Sequence, residues 1–129
     1  MKRKLITLAF LLIASYSFTQ SNSTVQECVS ENCVYKLFPT QNYWTFIKLD
    51  TRNGKMWQVH FSVEEGVANG EVVLNSESLV SITEESNGRF TLYPTENIYN
   101  FLLLDQKIGL VYQVQWSMDK NYRGIVLIN

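Results

Sequence analysis

The sequence has few of the residues from which catalytic and metal sites are usually built. It contains one histidine, His60, and two cysteines among its 129 residues. A metal site needs several ligands at suitable spacing, and the sequence shows no such group. No serine, cysteine or acidic residue is tied to His60 by a recognised motif. We therefore expect a protein that is not an enzyme and that has no catalytic residues, metal ion or cofactor.

Long apolar runs are also scarce, and the clearest one lies at the N-terminus. Three basic residues at positions 2–4 precede the apolar residues 5–14, and small and polar residues follow. This order is typical of a secretory signal peptide. A membrane anchor is the alternative, but an anchor needs roughly 20 apolar residues. We expect residues 1–20 to be removed, leaving a secreted or periplasmic chain that begins near Ser21.

The mature chain lacks an excess of positive charge. Without residues 1–20 it has eight basic and twelve acidic residues, which gives a net charge of −4. Proteins that bind nucleic acid present a basic patch to the phosphate backbone, so a nucleic-acid partner is not expected. No later segment is apolar enough to cross a bilayer, so stable membrane insertion of the mature chain is not expected either.

The two cysteines, Cys28 and Cys33, lie close together before the first predicted strand. In an oxidising compartment, a disulfide is the usual state of such a pair. A catalytic redox pair would more typically be spaced Cys-x-x-Cys, and a metal site would need further ligands. We predict a Cys28–Cys33 disulfide that fixes an N-terminal arm over residues 21–33.

The strongest feature of the sequence is an internal repeat. Residues 35–62 align with residues 90–117 without a gap, and eleven of these 28 positions are identical. Both copies contain Pro-Thr, then Leu-Asp, then Gly and Gln-Val, at the same spacing. A duplication accounts for such a match. We divide the domain, residues 34–129, into unit 1 (residues 34–87) and unit 2 (residues 88–129).

Each unit is predicted to form four strands. Proline ends the first strand, and Asp followed by Gly marks a hairpin loop between the second and third strands. The predicted strands are 34–38, 43–49, 55–62 and 71–74 in unit 1, and 89–93, 98–104, 110–117 and 124–128 in unit 2. Helix signals are weak; a short helical turn over 75–81 is one possibility.

The fold predicted from this pattern is all-β. In the third strands, aromatic residues alternate with polar ones, which puts the aromatic rings on one face, expected to be the core. The second strands are apolar on both faces, so we expect them between two covering layers. Two tandem antiparallel meander repeats would form a small sandwich or barrel with pseudo-twofold symmetry. We expect the sheets to close internally and the chain to be a monomer; a ring of several chains is the alternative.

The repeated pattern resembles one found in small uncharacterised bacterial exported proteins. The resemblance rests on Tyr-Pro-Thr, Phe-Leu-x-Leu-Asp and Gly-x-x-Trp/Tyr-Gln-Val, and it covers most of residues 34–117. It carries no biochemical function over to this chain. The stretch Leu-Asp-x-x-x-Gly-x-x-Trp also resembles the inner hairpin of a β-propeller blade.

Two duplicated acids, Asp50 and Asp105, could suggest the carboxylate pair of a glycosidase. Their position before a loop glycine explains them better as turn residues. The identical polar pairs Gln58/Gln113 and Ser62/Ser117 are less easily explained by folding. One interpretation is that this strand face is exposed to solvent, or that the glutamines form hydrogen bonds with neighbouring backbone groups. The other interpretation is that these residues form a ligand site. The predicted ligand-binding residues are Gln58, His60, Gln113, Gln115, Trp44 and Tyr99.

Seventeen aromatic residues and the absence of a catalytic group favour a binding module. Aromatic rings and amide side chains are common in surfaces that bind glycans or proteins. We expect an exported, non-enzymatic module that binds a carbohydrate or a protein partner. An inhibitor or immunity-type protein that blocks an exported enzyme is the alternative, and a hydrolase is a weaker one.

Overall fold

The computed structural model describes residues 33–129. The predicted signal peptide, and Cys28 with its predicted disulfide, lie outside the described residues. Both therefore stay predictions.

The described chain folds into two antiparallel four-stranded meanders, as predicted. Unit 1 contains β1 Tyr35–Pro39, β2 Thr45–Asp50, β3 Met56–His60 and β4 Gly70–Asn75. Unit 2 contains β5 Phe90–Pro94, β6 Asn100–Asp105, β7 Val111–Gln115 and β8 Gly124–Leu127. In each sheet the strands lie in chain order, so every connection joins neighbouring strands.

The two units share their strand registers. In unit 1, Tyr35 pairs with Asp50, and in unit 2, Phe90 pairs with Asp105. The turns also match: Gly54 and Gly109 both have positive φ, and each donates its N–H to the carbonyl of the aspartate that opens the loop. Positive φ is a conformation that glycine adopts without strain, which explains the duplicated glycine. The predicted repeat is thus a repeated structure.

The helical segments are two short 3₁₀ turns, Ile82–Glu84 and Lys120–Tyr122. The helical turn considered for residues 75–81 does not form in that place. Asn75 instead ends β4, and its side-chain amide donates to the carbonyls of Gly54 and Glu77. This short-range bonding holds the chain in an irregular loop, as Asn side chains commonly do.

One apolar core lies between the two sheets. It contains residues of both units: Ile47, Leu49, Met56, Leu74, Phe90, Leu92, Phe101, Leu103, Val114 and Trp116. The sheets are separate, and no strand of one continues the other in the described chain. Of the two predicted forms, sandwich or barrel, the described residues form two facing sheets and no closed barrel.

The sheets bury opposite faces of the repeated unit. In β2, Ile47 is buried, but its counterpart 55 residues later, Leu102, is 36% exposed. In β6, Leu103 is buried, but its counterpart in β2, Lys48, is only half-buried. The two tandem units therefore stack front to back, with unlike faces of the repeat in contact.

Two predictions about individual strands are corrected by the same finding. The aromatic face of the third strand is in the core in unit 2, where Trp116 is 2% exposed, but not in unit 1, where Phe61 is 40% exposed. The second strands are covered on one face, not on two. Since both faces of β2 and β6 are apolar, periodicity alone could not indicate which face would be covered.

Candidate functional site

Gln58 lies on the core-facing side of β3 and is fully buried. Its Nε2 donates to the carbonyl of Ser117 at 3.0 Å, and the N–H of Ser117 donates to its Oε1 at 3.0 Å. Both polar ends of the buried amide are thus satisfied, as burial requires. Gln58 links the two sheets, which is a structural role.

His60 lies beside Gln58 at the end of β3 and is partly buried. Its Nδ1 is 3.1 Å from Thr45 Oγ1, and its Nε2 is 3.4 Å from Gln58 Nε2. Burial and the nearby positive charge of Arg123 lower the pKa of His60. The imidazole is therefore a neutral partner of a hydroxyl and an amide.

Gln113 and Gln115 lie on the opposite side of the molecule from the sheet interface. Gln113 is exposed on the outer face of β7, and Gln115 is half-buried beside it. Together with Asn121, Tyr122 and Arg123, they line an open cavity of about 330 Å³. The structure therefore does not bring the four predicted polar residues together.

Trp44 and Tyr99 occupy equivalent turns before β2 and β6. Their side chains are 46% and 48% exposed. The backbone N–H of each donates to an asparagine side chain two residues earlier, which fixes the turn. The Trp44 ring lies 5.4 Å from Phe61 on an exposed face, whereas the Tyr99 ring lies 5.4 Å from the buried Trp116.

A second exposed surface was missed by the sequence reasoning. We call it the outer face of unit 1, and it consists of Tyr35, Leu37, Phe46, Lys48, Trp57, Val59, Phe61 and Glu71. The alternating pattern of the third strand predicts its aromatic residues in the core, whereas in unit 1 they lie on this outer face. Lys48 was the available signal, because the matching position in unit 2 is Leu103, which the core buries.

The rings of the outer face of unit 1 pack against one another. Tyr35 and Trp57 lie 6.4 Å apart, and Phe46 and Phe61 lie 6.0 Å apart. Lys48 Nζ lies 4.9 Å from the centre of the Trp57 ring and forms a 2.6 Å ion pair with Glu71. The charges on this face neutralise each other, and the remaining surface is aromatic and aliphatic.

The two duplicated aspartates are turn residues, and both are buried. Asp50 is bound by Arg52 at 2.7 Å and Asp105 by Arg89 at 2.8 Å. Burial raises the pKa of Asp105, but hydrogen bonds from Arg89 and from the Lys107 and Ile108 N–H groups outweigh it and hold this pKa below its usual range. Both carboxylates are engaged in turns, which leaves them unsuited to act as a glycosidase pair.

Residues 33–129 contain no group of three or more His, Cys, Asp or Glu side chains that could hold a metal ion. The same residues form no helix with the length and apolarity that a membrane crossing requires.

No protein-family model matches the chain, and no curated protein or solved structure does so either. The resemblance to exported bacterial proteins stays a hypothesis, and any function has to be argued from the chain's own surfaces.

Proposed function

We propose that this chain is an exported, non-enzymatic binding module that recognises a protein partner through the outer face of unit 1. The observation that carries the proposal is the exposure of large apolar side chains on one sheet face. Tyr35, Leu37 and Phe61 are 53%, 60% and 40% exposed. Contiguous exposed apolar patches on soluble proteins commonly mark binding surfaces, and aromatic residues dominate the energetics of protein interfaces.

The arrangement of the rings favours a protein over a glycan on this face. Carbohydrate stacking needs an open ring face. The ring planes of Tyr35 and Trp57 are inclined at 62°, and those of Trp44 and Phe61 at 69°. Lys48 lies over Trp57, so part of that ring is already covered. Inclined, partly covered rings form an uneven apolar surface that suits the side chains of a second protein.

A glycan is the second candidate ligand, and the cavity on the outer face of unit 2 favours it. Gln113, Gln115 and Asn121 offer amide donors and acceptors, and Tyr122 is 64% exposed beside them. Amides and an aromatic ring are the groups that bind sugar hydroxyls and sugar faces. An inhibitor or immunity-type protein would be a special case of the first candidate, with an enzyme as the partner. The hydrolase alternative has no comparable support.

The test is a paired binding experiment on the mature protein. Wild type, Leu37→Glu and Gln115→Ala are presented to a cell-envelope extract of the source organism and to a glycan array. Ile82→Glu is the control, since Ile82 is 85% exposed in the loop between the units. We expect a protein to be retained by wild type and by Ile82→Glu, and to be lost with Leu37→Glu. Glycan binding that Gln115→Ala removes and Leu37→Glu preserves would overturn the proposal in favour of the second candidate.

A further inference from the structure

We infer that the outer face of unit 1 binds the outer face of unit 2 of a second copy of this chain, so that copies join head to tail. The inference rests on the proposed function of the first of these faces and names its partner. It starts from the interface inside the chain. There, one face of unit 1 packs on the opposite face of unit 2. Because the units are copies of each other, the two faces left outside are copies of the two faces already packed together.

The outer face of unit 2 repeats the face by which unit 1 enters the core. A row of residues crosses each sheet at the same register, and the matched pairs are Ile47/Leu102, Gln58/Gln113 and Val72/Val126. In unit 1, Ile47 and Gln58 are fully buried. In unit 2, Leu102 is 36% and Val126 is 65% exposed. The outer row of unit 2 therefore has side chains typical of a core-facing row. In the single chain, however, these side chains are exposed.

The outer face of unit 1 repeats the face by which unit 2 enters the core. The matched pairs are Leu37/Leu92, Phe46/Phe101 and Val59/Val114. The unit 2 members are at most 3% exposed, whereas Leu37 is 60% exposed. All three pairs are identical, which preserves the shape of this surface. The contact that unit 2 makes with unit 1 inside the chain is thus available again between chains.

The polar contact at the centre of the interface can also be repeated. Gln58 holds the peptide of Ser117, and the matching residues on the outer faces are Gln113 and Ser62. In the single chain, the Ser62 N–H is satisfied locally by the Asn69 side chain. In the assembly, Gln113 of one copy takes the place of this local contact. Retention of both the glutamine and the serine after duplication is then explained by one contact that is used twice.

The charges of the two outer faces are compatible with burial. The four strands of unit 2 contain a single charged residue, Asp105, which is buried and paired with Arg89. Solvent-exposed strand faces usually carry charged side chains. The outer face of unit 1 contains Lys48 and Glu71, which pair with each other and leave no net charge. The strands of the two faces would therefore bury no unpaired charge against each other. Arg123 lines the cavity on the outer face of unit 2, where its guanidinium donates to the carbonyls of Ser117 and Met118.

A front-to-back contact between unlike faces propagates until it closes. Such contacts give rings if the rotation closes and open filaments if it does not. Radial packing of four-stranded meanders usually closes with about four to eight sheets, as in β-propellers. Two sheets per chain then give a ring of about two to four copies.

The experiment measures the mass of the mature chain in solution by light scattering and native mass spectrometry. The variants are Leu37→Glu on the outer face of unit 1, Leu102→Glu on the outer face of unit 2, and Ile82→Glu as the control. We expect wild type and Ile82→Glu to form one closed ring, and each face variant to be a folded monomer by circular dichroism. We also expect an equimolar mixture of the two face variants to form a dimer and to stop there, because each copy retains one intact face and the two are complementary.

Three results would overturn the inference. The first is a monomeric wild type at the highest soluble concentration. The second is an oligomer that survives in one of the face variants, since this indicates like-with-like pairing of the other face. The third is a mixture of face variants that stays monomeric. If Leu102→Glu does not fold, Gln113→Ala replaces it, with a weakened ring as the expected result. A monomeric wild type that still retains an envelope protein through Leu37 overturns the inference alone and leaves the proposed function standing.

Discussion

In unit 1 the core-facing side of the third strand carries Met56 and Gln58, whereas in unit 2 it carries Val114 and Trp116. The repeated sequence therefore gives the same strands and turns but not the same environment for matched residues. Several positions that are buried in one unit, such as Gln58 and Leu92, are exposed at the matching position of the other. Each matched pair is consequently a natural control, since the same substitution can be made at two equivalent sites in one chain.

The largest expected difference concerns the cations that neutralise the duplicated aspartates. Arg89 is 5% exposed and donates three hydrogen bonds to Asp105. Unit 1 has Val34 at the matching position. Replacing Arg89 with valine leaves a buried carboxylate without its partner, which typically costs about 3–5 kcal/mol. Chemical denaturation measures the loss.

The matched control is Arg52→Ala in unit 1. The Arg52 side chain is 35% exposed, and partly exposed ion pairs contribute about 0–1 kcal/mol. Similar losses of stability in Arg89→Val and Arg52→Ala would show that Asp50 and Asp105 depend equally on their arginine partners.

The fold was more predictable from the sequence than the site was. Strand order, the hairpin loops at Gly54 and Gly109, and the turn role of the aspartates all follow from local patterns that the repeat shows twice. Which face is covered depends on a contact between units, and the pattern of a strand that is apolar on both sides contains no such information. Because Gln58 and Gln113 occupy matching positions, the sequence predicts the same role for both, although only Gln58 is buried.

The loop glycines give the second prediction. Gly54 and Gly109 have φ of 82° and 76°, so an alanine at either position costs about 1–2 kcal/mol of backbone strain. At Gly54 the added Cβ would also lie 2.6 Å from Leu79 Cδ1, whereas at Gly109 it meets no described atom within 4 Å. Overpacking adds about 1–3 kcal/mol. We expect Gly54→Ala to lower the melting temperature clearly more than Gly109→Ala; equal effects would mean that Leu79 moves aside without cost.

The third prediction uses the two glutamines. Gln58→Ala leaves the peptide of Ser117 without its amide partner inside the sandwich, which costs about 1–3 kcal/mol. Gln113→Ala removes an exposed side chain, so within a single chain its effect is expected to be about 0.5 kcal/mol or less. Thermal unfolding of the two variants, compared in a Leu37→Glu background that prevents the inferred assembly, isolates the single-chain effect. A larger loss for Gln113→Ala in that background would contradict the difference in burial.

The smallest expected effect concerns His60, whose counterpart in unit 2 is Gln115. Burial and Arg123 lower the pKa of His60 from its ordinary value of 6.5, so the unfolded chain binds this proton more readily than the folded chain. The contribution to stability is therefore fully present above about pH 6.5 and is lost as the pH falls toward the folded pKa.

His60→Gln should remove this part of the pH dependence. Asp50 and Asp105, whose pKa values lie below 3.8, titrate at lower pH and act equally in both proteins. Melting temperatures of wild type and His60→Gln should thus run parallel above about pH 7 and diverge between about pH 6.5 and 5, with wild type falling faster. Parallel curves over that whole range would show that Thr45 and Gln58 hold the charged and neutral forms of the ring equally well.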